Sequence, residues 1–287
     1  MGRILCEAVA VGEVGSQNAN FRASLLLKMW KNGRMEKKVV EVVNDVLRGA
    51  DGYHQTHAKR LLRTVELLYK ERPSGKLLEL GTSGFIPAVC QKLFPDLEVI
   101  CTHFDPGNVE PGHVKMAVGE IEVSPFCYKL DLEYETLPVP TEDIDVVLCC
   151  EVLEHMEIDP MFLVSEINRV LKYDGTLILT TPNITSSRAL TKILSGYEPY
   201  FYMQYHKNRS YNRHNYEYSA PTLKRMLKYG GFNPVVWSED LFEEGIPEVV
   251  EKVRSLGYPL PNVGDNLIAV ADKVGKVLER YPDGLYV

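Results

Sequence analysis

The stretch that most constrains the fold is a short apolar run that breaks into small residues just before an amphipathic helix. The run is Lys76–Leu80, the turn covers 81–84, and apolar residues then recur at helical spacing as far as Phe94. This order predicts a strand, a tight turn and a helix, which places backbone N–H groups and a helix N-terminus beside a nucleotide-like ligand. Glu79 lies at the end of the strand, where its carboxylate can reach a cationic or polyhydroxyl ligand. A plain βα turn of an α/β protein is the alternative, and this stretch alone does not separate the two.

The rest of the chain alternates between strands and helices. Further strands are predicted at 97–104, 126–130, 145–150, 176–181, 234–238 and 266–271, with helices at 160–172, 221–229 and 247–255. Strands separated by helices of this length imply right-handed crossovers and a mostly parallel sheet. The near-continuous apolar runs fit strands that are covered on both faces. The predicted fold is therefore α/β, a Rossmann-like doubly wound sheet of seven mostly parallel strands.

Three regions lie outside this alternation. Apolar stripes at helical spacing in 20–30, 39–47 and 61–69 predict that residues 1–74 form a helical extension before the core at 75–273. Its Tyr53, His54, His57 and Arg60 come shortly before the first strand and are candidates to roof a ligand site. Residues 184–219 are crowded with tyrosines and histidines, and we expect this insert to cover the substrate. Residues 274–287 are predicted to be a charged tail.

Composition excludes several classes of protein. The chain has 287 residues and a net charge of −7, which disfavours a bulk electrostatic contact with nucleic acid or anionic lipid. No apolar run approaches the roughly 18 residues of a membrane-spanning helix, and the N-terminus lacks a signal-peptide pattern. The six cysteines show neither CxxC nor zinc spacing. We therefore expect reduced cysteines and a cytoplasmic protein, and the sequence leaves a homo-oligomer open.

Acidic residues stand at the ends of successive predicted strands. They are Glu79, Asp105, Asp131 and Glu151. In an open α/β sheet, ligands bind beyond the carboxyl ends of the strands. Carboxylates there suit a ligand that has ribose hydroxyls, an adenine amine and a positive charge, whereas they repel a polyphosphate. GxxxxGK[ST] is absent, and Gly81 and Gly84 fail the GxGxxG spacing of dinucleotide sites.

Motifs in this order resemble those of class I S-adenosylmethionine-dependent methyltransferases, over about residues 75–273. Leu78-Glu79-Leu80-Gly81 is similar to the first motif of that family. The segment from Asp145 to His155 resembles the fourth-strand motif of its small-molecule branch, and 169–183 resembles the segment that follows. His214-Asn215-Tyr216-Glu217-Tyr218 looks like the passage from lid to helix in members that act on sugars, lipids and natural products.

The resemblance implies S-adenosylmethionine as cofactor and a set of residues that bind it. Asp105 matches the acid that binds the ribose hydroxyls, although His103 fits nearly the same spacing, and Asp131-Leu132 matches the pair that flanks the adenine. The full set implied is Glu79, Gly81, Thr82, Ser83, Gly84, Asp105, Asp131, Leu132 and Glu151. Two departures stand out: the second and third family glycines fall on Ser83 and Phe85, and the [DN]PPY of DNA adenine and glutamine methylases is absent.

A hydroxyl acceptor must lose its proton, and histidine is the side chain best matched to that task near neutral pH. His214 and His155 are the two candidates for the catalytic base. Aromatic and polar residues of the extension and the insert are candidates for contact with substrate, namely Tyr53, His54, Tyr202, His206 and Tyr216. No Asp/Asn trio marks a metal site, so none is predicted.

Several functions remain open on the sequence alone. The favoured one is O-methylation of a small molecule or glycan, with N-methylation less favoured. An RNA or protein methyltransferase is disfavoured by the acidic charge and by the lack of an added nucleic-acid module. A non-catalytic protein that binds the cofactor, or that only scaffolds a partner, is motivated by the altered glycine motif.

Overall fold

A computed structural model of the chain describes residues 36–104, 110–200 and 213–286. Its centre is an eight-stranded sheet with the strand order β3-β6-β2-β1-β7-β8-β10-β9, accompanied by a separate two-stranded sheet of β4 and β5. The strands are β1 Lys76–Leu80, β2 Glu98–His103, β3 Gly112–His113, β4 Met116–Val118, β5 Ile121–Val123, β6 Phe126–Lys129, β7 Ile144–Cys150, β8 Leu171–Pro182, β9 Phe232–Glu239 and β10 Asn266–Lys273.

The central strands run parallel, as predicted. β1 pairs in parallel with both β2 and β7, while β10 is antiparallel to β8 and β9. The chain builds outward in one direction from β1 to β2 and β6, and in the other direction from β7 to β8. The order of strands therefore reverses between β1 and β7, and their carboxyl ends border the crevice in which doubly wound sheets bind ligands.

The sheet has one strand more than the seven that the sequence predicts. The additional strand, β3, has two residues and pairs antiparallel with β6 at the edge of the sheet. The hairpin of β4 and β5 was also not predicted, because strands of two or three residues are too short to show a periodicity. This hairpin lies against the turn after β1, since a Cβ atom on Gly84 would be 3.1 Å from Met116 Cβ.

Helices cover the sheet. The segments predicted at 39–47 and 61–69 are helices, whereas 20–30 lies outside the described residues. Residues 187–194 of the predicted insert form a helix that Ser186 caps, because its Oγ accepts the N–H of Ala189 at 3.1 Å. The helices are α1 Lys37–Leu47, α2 Gly52–Thr56, α3 Ala58–Glu71, α4 Phe85–Leu93, α5 Pro160–Val170, α6 Ser187–Leu194, α7 Ala220–Tyr229 and α8 Pro247–Ser255, with a 3₁₀ turn at Leu153–His155.

Consecutive residues of the central strands are buried on both faces of the sheet. Leu77 and Leu78 are both fully buried, as are Val147 and Leu148 on the neighbouring strand β7. Successive side chains of a strand point to opposite faces, so helices must cover both sides. This packing fixes the position of the residues that follow each strand. None of the described helices is long and apolar enough to span a membrane.

The insert leaves and rejoins the core at adjacent points. The backbone N–H of Ile184 donates to the carbonyl of Tyr218 at 3.1 Å, and Asn183 forms an isolated parallel bridge with Tyr218. Asn183 is also bound to the segment just before β10, since its Nδ2 donates to the carbonyl of Gly264 at 2.7 Å. At the C-terminus, the Tyr286 hydroxyl donates to Asp159 Oδ1 at 2.5 Å, which attaches the predicted tail to the start of α5.

Glu133 is expected to stabilise the loop before α5. Its buried Oε1 accepts the backbone N–H groups of Glu157 at 2.6 Å and Asp159 at 3.3 Å, and also that of Ile158. Because these donors would lose a charged acceptor, Glu133→Ala should lower the free energy of unfolding by about 2–3 kcal/mol. Urea denaturation measures this loss, with Glu122→Ala, at an exposed position of β5, as control. An equal effect of both changes would contradict the role of Glu133.

Candidate functional site

The turn after β1 is held open by glycine and by hydrogen bonds to β2. Gly81 has φ +69°, and its N–H donates to Thr102 Oγ1 at 3.0 Å. The N–H of Thr82 donates to the Thr102 carbonyl at 2.9 Å, and the N–H of Gly84 donates to Thr82 Oγ1 at 3.0 Å. A Cβ atom on Gly81 would lie 3.2 Å from Val152 Cγ2. The backbone is therefore positioned for close approach by a ligand.

Glu79 lies directly beneath this turn and is buried. Its Oε2 accepts a weak hydrogen bond from Cys101 Sγ at 3.7 Å. Burial raises the pKa of Glu79 to about 7, and this is only partly offset by hydrogen bonds from Thr82 and Cys101 and by the charge of Arg60. A cation placed here would favour the ionised form of the carboxyl group.

The N-terminal helices reach this turn through His54. Its Nε2 lies 3.3 Å from Ser83 Oγ, and its Nδ1 lies 2.7 Å from Asp51 Oδ1. Asp51 caps α2, because the same oxygen accepts the backbone N–H of His54 at 3.0 Å. His54 is thus a buried link between the helical extension and the glycine turn.

Arg60 brings a buried positive charge into the same cavity. The cavity is lined by residues of α2, α3, the glycine turn and β7, including Tyr53, Arg60, Glu79, Gly81, Ser83 and Cys150. The Arg60 Nη2 donates to the Tyr53 hydroxyl at 3.3 Å, while its buried Nε has no hydrogen-bond partner among the described residues. Burial lowers the pKa of Arg60, but nearby groups, of which Glu151 has the largest effect, outweigh burial. The pKa of Arg60 therefore lies above its usual value.

Glu151 follows β7 in a conformation that is uncommon for a residue other than glycine. Its φ is +54°, in the left-handed region. Its Oε1 accepts hydrogen bonds from Thr180 Oγ1 at 2.8 Å and from Asn266 Nδ2 at 3.0 Å. These bonds to β8 and β10 hold the carboxylate at the carboxyl edge of the sheet, where strained backbone is often retained for function.

Three residues beyond Glu151, a second cluster joins the 3₁₀ turn to the end of the insert. One donor atom from each of Glu154, His155 and His214 lies within 4.8 Å of the others. The two imidazole rings are edge to face, with centroids 5.2 Å apart. Burial lowers the pKa of His155, whereas burial and the charge of Glu151 raise that of Glu154. Although no metal is predicted from the sequence, these three residue types are common metal ligands.

The remaining predicted cofactor and substrate residues are partly within the described structure and partly outside it. Asp131 and Leu132 follow β6, where Asp131 Oδ1 accepts the N–H of Glu133 at 3.0 Å and Leu132 packs against the core. Tyr53 and Tyr216 are exposed. Asp105, Tyr202 and His206 lie outside the described residues.

Sequence reasoning missed Thr102 and Glu154 and gave Arg60 only a general role. Thr102 supplies the two acceptors on β2 that hold the glycine turn, but an isolated threonine in a strand carries no signal. Arg60 was considered only as part of a ligand roof, since its burial depends on packing that the sequence does not show. Glu154 belongs to the fourth-strand motif, yet its partner His214 lies 60 residues away.

Comparisons with known proteins find one matching family and several similar structures. The methyltransferase domain family matches residues 53–236. Among solved structures, the chain is similar to a SAM-dependent methyltransferase from Archaeoglobus fulgidus, with 17% identity over 78% of this chain and 100% of that chain and a TM-score of 0.49. A SAM-dependent methyltransferase from Thermotoga maritima has 15% identity over 77% of this chain and 93% of its own, with a TM-score of 0.46. A search of curated proteins finds no match.

A further similar structure is a chain from the complex between the Trm112 methyltransferase activator and a methyltransferase of Haloferax volcanii. It shares 14% identity over 82% of this chain and 98% of its own, with a TM-score of 0.49. Because the family match covers more than half of the residues, the chain belongs to the methyltransferase domain family and is a class I S-adenosylmethionine-dependent methyltransferase. Its cofactor is S-adenosylmethionine.

The residues around the cavity fit this cofactor. Its sulfonium and ammonium groups are positive and suit the buried carboxyl of Glu79, while its carboxylate suits the unpartnered Nε of Arg60. The absence of a side chain on Gly81 leaves the turn open. When bound, the cofactor supplies a methyl group on a sulfonium that is already a good leaving group. The protein itself contributes mainly proximity and alignment.

Glu79 is expected to release a proton when the cofactor binds. With a pKa of about 7, its carboxyl is mostly protonated at pH 6 and mostly ionised at pH 8. A bound cation lowers this pKa, so binding at pH 6 should expel up to one proton, and affinity should rise with pH through 7. Calorimetry in buffers of different ionisation enthalpy measures the proton release. Glu79→Gln should abolish it, and an unchanged release in that variant would refute the assignment.

Proposed function

We propose that this enzyme methylates a hydroxyl group of a small molecule or a glycan. The observation that carries the proposal is the pair of imidazoles, His155 and His214, set edge to face beside the strand-end carboxylates. A hydroxyl is a poor nucleophile until its proton is removed or its oxygen is polarised, and imidazole suits either task. Amine acceptors do not need such a group once they are uncharged.

Each residue proposed to bind the cofactor is assigned by its position at the cavity or after a strand. Glu79 and Arg60 would hold the charged groups of the methionine part, and the turn of Gly81, Thr82, Ser83 and Gly84 would border them. Glu151 would lie next to this group, because it directly follows Cys150 in the cavity wall. Asp105 and the pair Asp131-Leu132 are proposed for the ribose and the adenine, on the motif resemblance and on their place after β2 and β6.

On the acceptor side, we propose that the helical extension and the insert form the substrate cover. Tyr53 borders the cavity and is 49% exposed, and Tyr216 is 56% exposed and packs on Tyr218 with ring centroids 4.9 Å apart. Exposed aromatic rings of this kind stack on flat or sugar-like molecules and exclude water. Tyr202 and His206 remain proposals from the sequence, whereas His54 is better placed to support the glycine turn.

The test is methyl transfer from isotope-labelled cofactor to a panel of acceptors. The panel contains phenols, polyhydroxyl metabolites, oligosaccharides, small amines, RNA and a protein mixture. We expect labelled product only with hydroxyl-bearing small molecules or glycans, and NMR of a ¹³C-methyl product identifies the methylated atom. Label on nitrogen, on RNA or on protein would overturn the proposal. Cofactor binding without transfer to any acceptor would favour a regulatory role instead.

A further inference from the structure

We propose that Glu154, His155 and His214 bind a divalent transition-metal ion of the Mn²⁺-to-Zn²⁺ series. One carboxylate oxygen and one ring nitrogen from each histidine lie within 4.8 Å of one another. Such an ion bonds its ligands at about 2.0–2.2 Å, which places donor atoms roughly 3–3.5 Å apart. His155 Nε2 and Glu154 Oε1 are 3.9 Å apart, so they need to approach by less than about one ångström.

A buried oxygen without a partner points to a ligand at this place. Glu154 is completely buried, and its Oε2 accepts the Thr181 hydroxyl at 2.9 Å. Its Oε1 makes no hydrogen bond to any described residue. A buried carboxylate oxygen with no donor costs free energy, and proteins seldom retain one without a bound ion, a water molecule or a functional reason. The same oxygen is the one that faces His155.

Each histidine is held through its other ring nitrogen. His155 Nδ1 lies 2.9 Å from the carbonyl oxygen of Arg213, which can only accept, so this nitrogen carries the proton and Nε2 is the basic atom. His214 Nδ1 lies 3.0 Å from Oε1 of Glu217, a carboxylate that is itself buried. Carbonyl and carboxylate partners of this kind orient imidazoles that ligate metals and make Nε2 the ligand atom.

The backbone fixes the two halves of the cluster together. The N–H groups of Asn215 and Tyr216 donate to the Glu154 carbonyl at 2.7 and 3.2 Å, and Asn215 Nδ2 donates to the His155 carbonyl at 2.8 Å. Residues 60 apart in the chain are thus positioned without the ion. Two imidazoles and one carboxylate favour Mn²⁺, Fe²⁺, Co²⁺ or Zn²⁺ over Mg²⁺, which prefers oxygen ligands.

Three protein ligands leave coordination positions open for another oxygen. This role rests on the proposed function: the acceptor hydroxyl would bind the ion, which lowers the pKa of that hydroxyl, and its proton would pass to solvent. The oxygen then forms the new bond to the methyl carbon as the C–S bond breaks, and that electron pair stays on sulfur. The two histidines would act as ligands that polarise the acceptor, and neither would itself accept the proton.

The first test measures binding and needs no methyl acceptor. Protein stripped with a chelator is titrated with Co²⁺, and visible absorption and calorimetry follow the complex. We expect one ion per chain, with affinity reduced at least about 100-fold in Glu154→Gln and in His155→Ala. His113→Ala removes an exposed histidine on β3 and is the matched control. No binding, or binding that survives both ligand substitutions, would overturn the proposal.

A second measurement distinguishes loss of the metal-binding side chain from loss of the folded structure. Co²⁺ or Zn²⁺ should raise the melting temperature of the wild type but not that of Glu154→Gln, while metal-free Glu154→Gln should melt no lower than metal-free wild type. Cofactor affinity should be equal in both. A chelator should abolish methyl transfer and the ion restore it. Undiminished transfer after chelation would refute the catalytic role, and methylation of nitrogen would refute the proposed function while leaving the ion site intact.

Discussion

Replacing Gly81 with valine is expected to abolish detectable binding of S-adenosylmethionine. Gly81 has φ +69°, a conformation that costs a β-branched residue about 1–3 kcal/mol. The new Cβ would also lie 3.2 Å from Val152 Cγ2, in a turn that lines the cavity together with Glu79 and Ser83. Because the ligand must approach the backbone here, we expect an affinity loss of at least about 100-fold, equivalent to roughly 3 kcal/mol. Calorimetry with the cofactor measures the loss.

A matched glycine separates strain from obstruction of the site. Gly257 follows α8 with φ +90°, and a Cβ atom there would meet nothing within 4 Å. Gly257→Val therefore imposes similar backbone strain and should leave cofactor affinity unchanged. Gly81→Ala should fall between the wild type and Gly81→Val. Normal affinity in Gly81→Val, in protein that unfolds cooperatively, would disprove the placement of the cofactor at this turn.

His214→Ala is expected to lower turnover by about 10²–10⁴-fold while changing cofactor affinity less than about threefold. The imidazole lies beside His155 and Glu154, and no hydrogen bond or ring contact found among the described residues joins it to the glycine turn. The loss is expected whether the ring accepts the acceptor's proton directly or binds an ion that polarises it. Single-turnover methyl transfer at saturating cofactor measures the chemical step.

The controls for this variant address the buried carboxylate of Glu217, which faces His214 Nδ1. His214→Gln keeps a polar group next to Glu217 and should preserve the melting temperature better than alanine, with no recovery of turnover. His113→Ala should leave turnover unaffected. If His214→Ala turns over normally, or loses cofactor affinity and turnover in equal proportion, the residue does not act on the acceptor.

The parallel core was predictable because its strands are apolar runs that end at polar or small residues. Leu77 to Leu80 and Val146 to Cys149 are continuous apolar or nearly apolar stretches, and each is followed by a polar or small residue where the chain must turn. Burial on both faces imposes this pattern, so the pattern identifies the strands and the edge of the sheet where they end. The positions of Glu79 and Glu151 at that edge could be predicted in this way, and their contact with the cofactor remains a prediction.

The remaining features depend on contacts between distant residues. β3 pairs with β6 over two residues, and such an edge strand forms because a neighbouring strand offers hydrogen bonds, whatever its own propensity. The contacts of His54 with Asp51 and Ser83 depend on how the helical extension packs on the glycine turn, and its contact with substrate remains a prediction. The meeting of Glu154 with His214 depends on backbone bonds between the 3₁₀ turn and the end of the insert, which no local pattern reports.

If the insert covers the acceptor as proposed, its closure at Ile184 and Tyr218 has a consequence for how the specificity of such an enzyme would change. A loop whose two ends are already hydrogen-bonded to each other can vary in length at little thermodynamic cost, since doubling it adds only about 0.6 kcal/mol of closure entropy. Under that proposal, the sequence between these two anchors could be replaced by one that binds another acceptor. We expect cofactor affinity to be unchanged by such a replacement, and turnover to be kept only where His214 is kept.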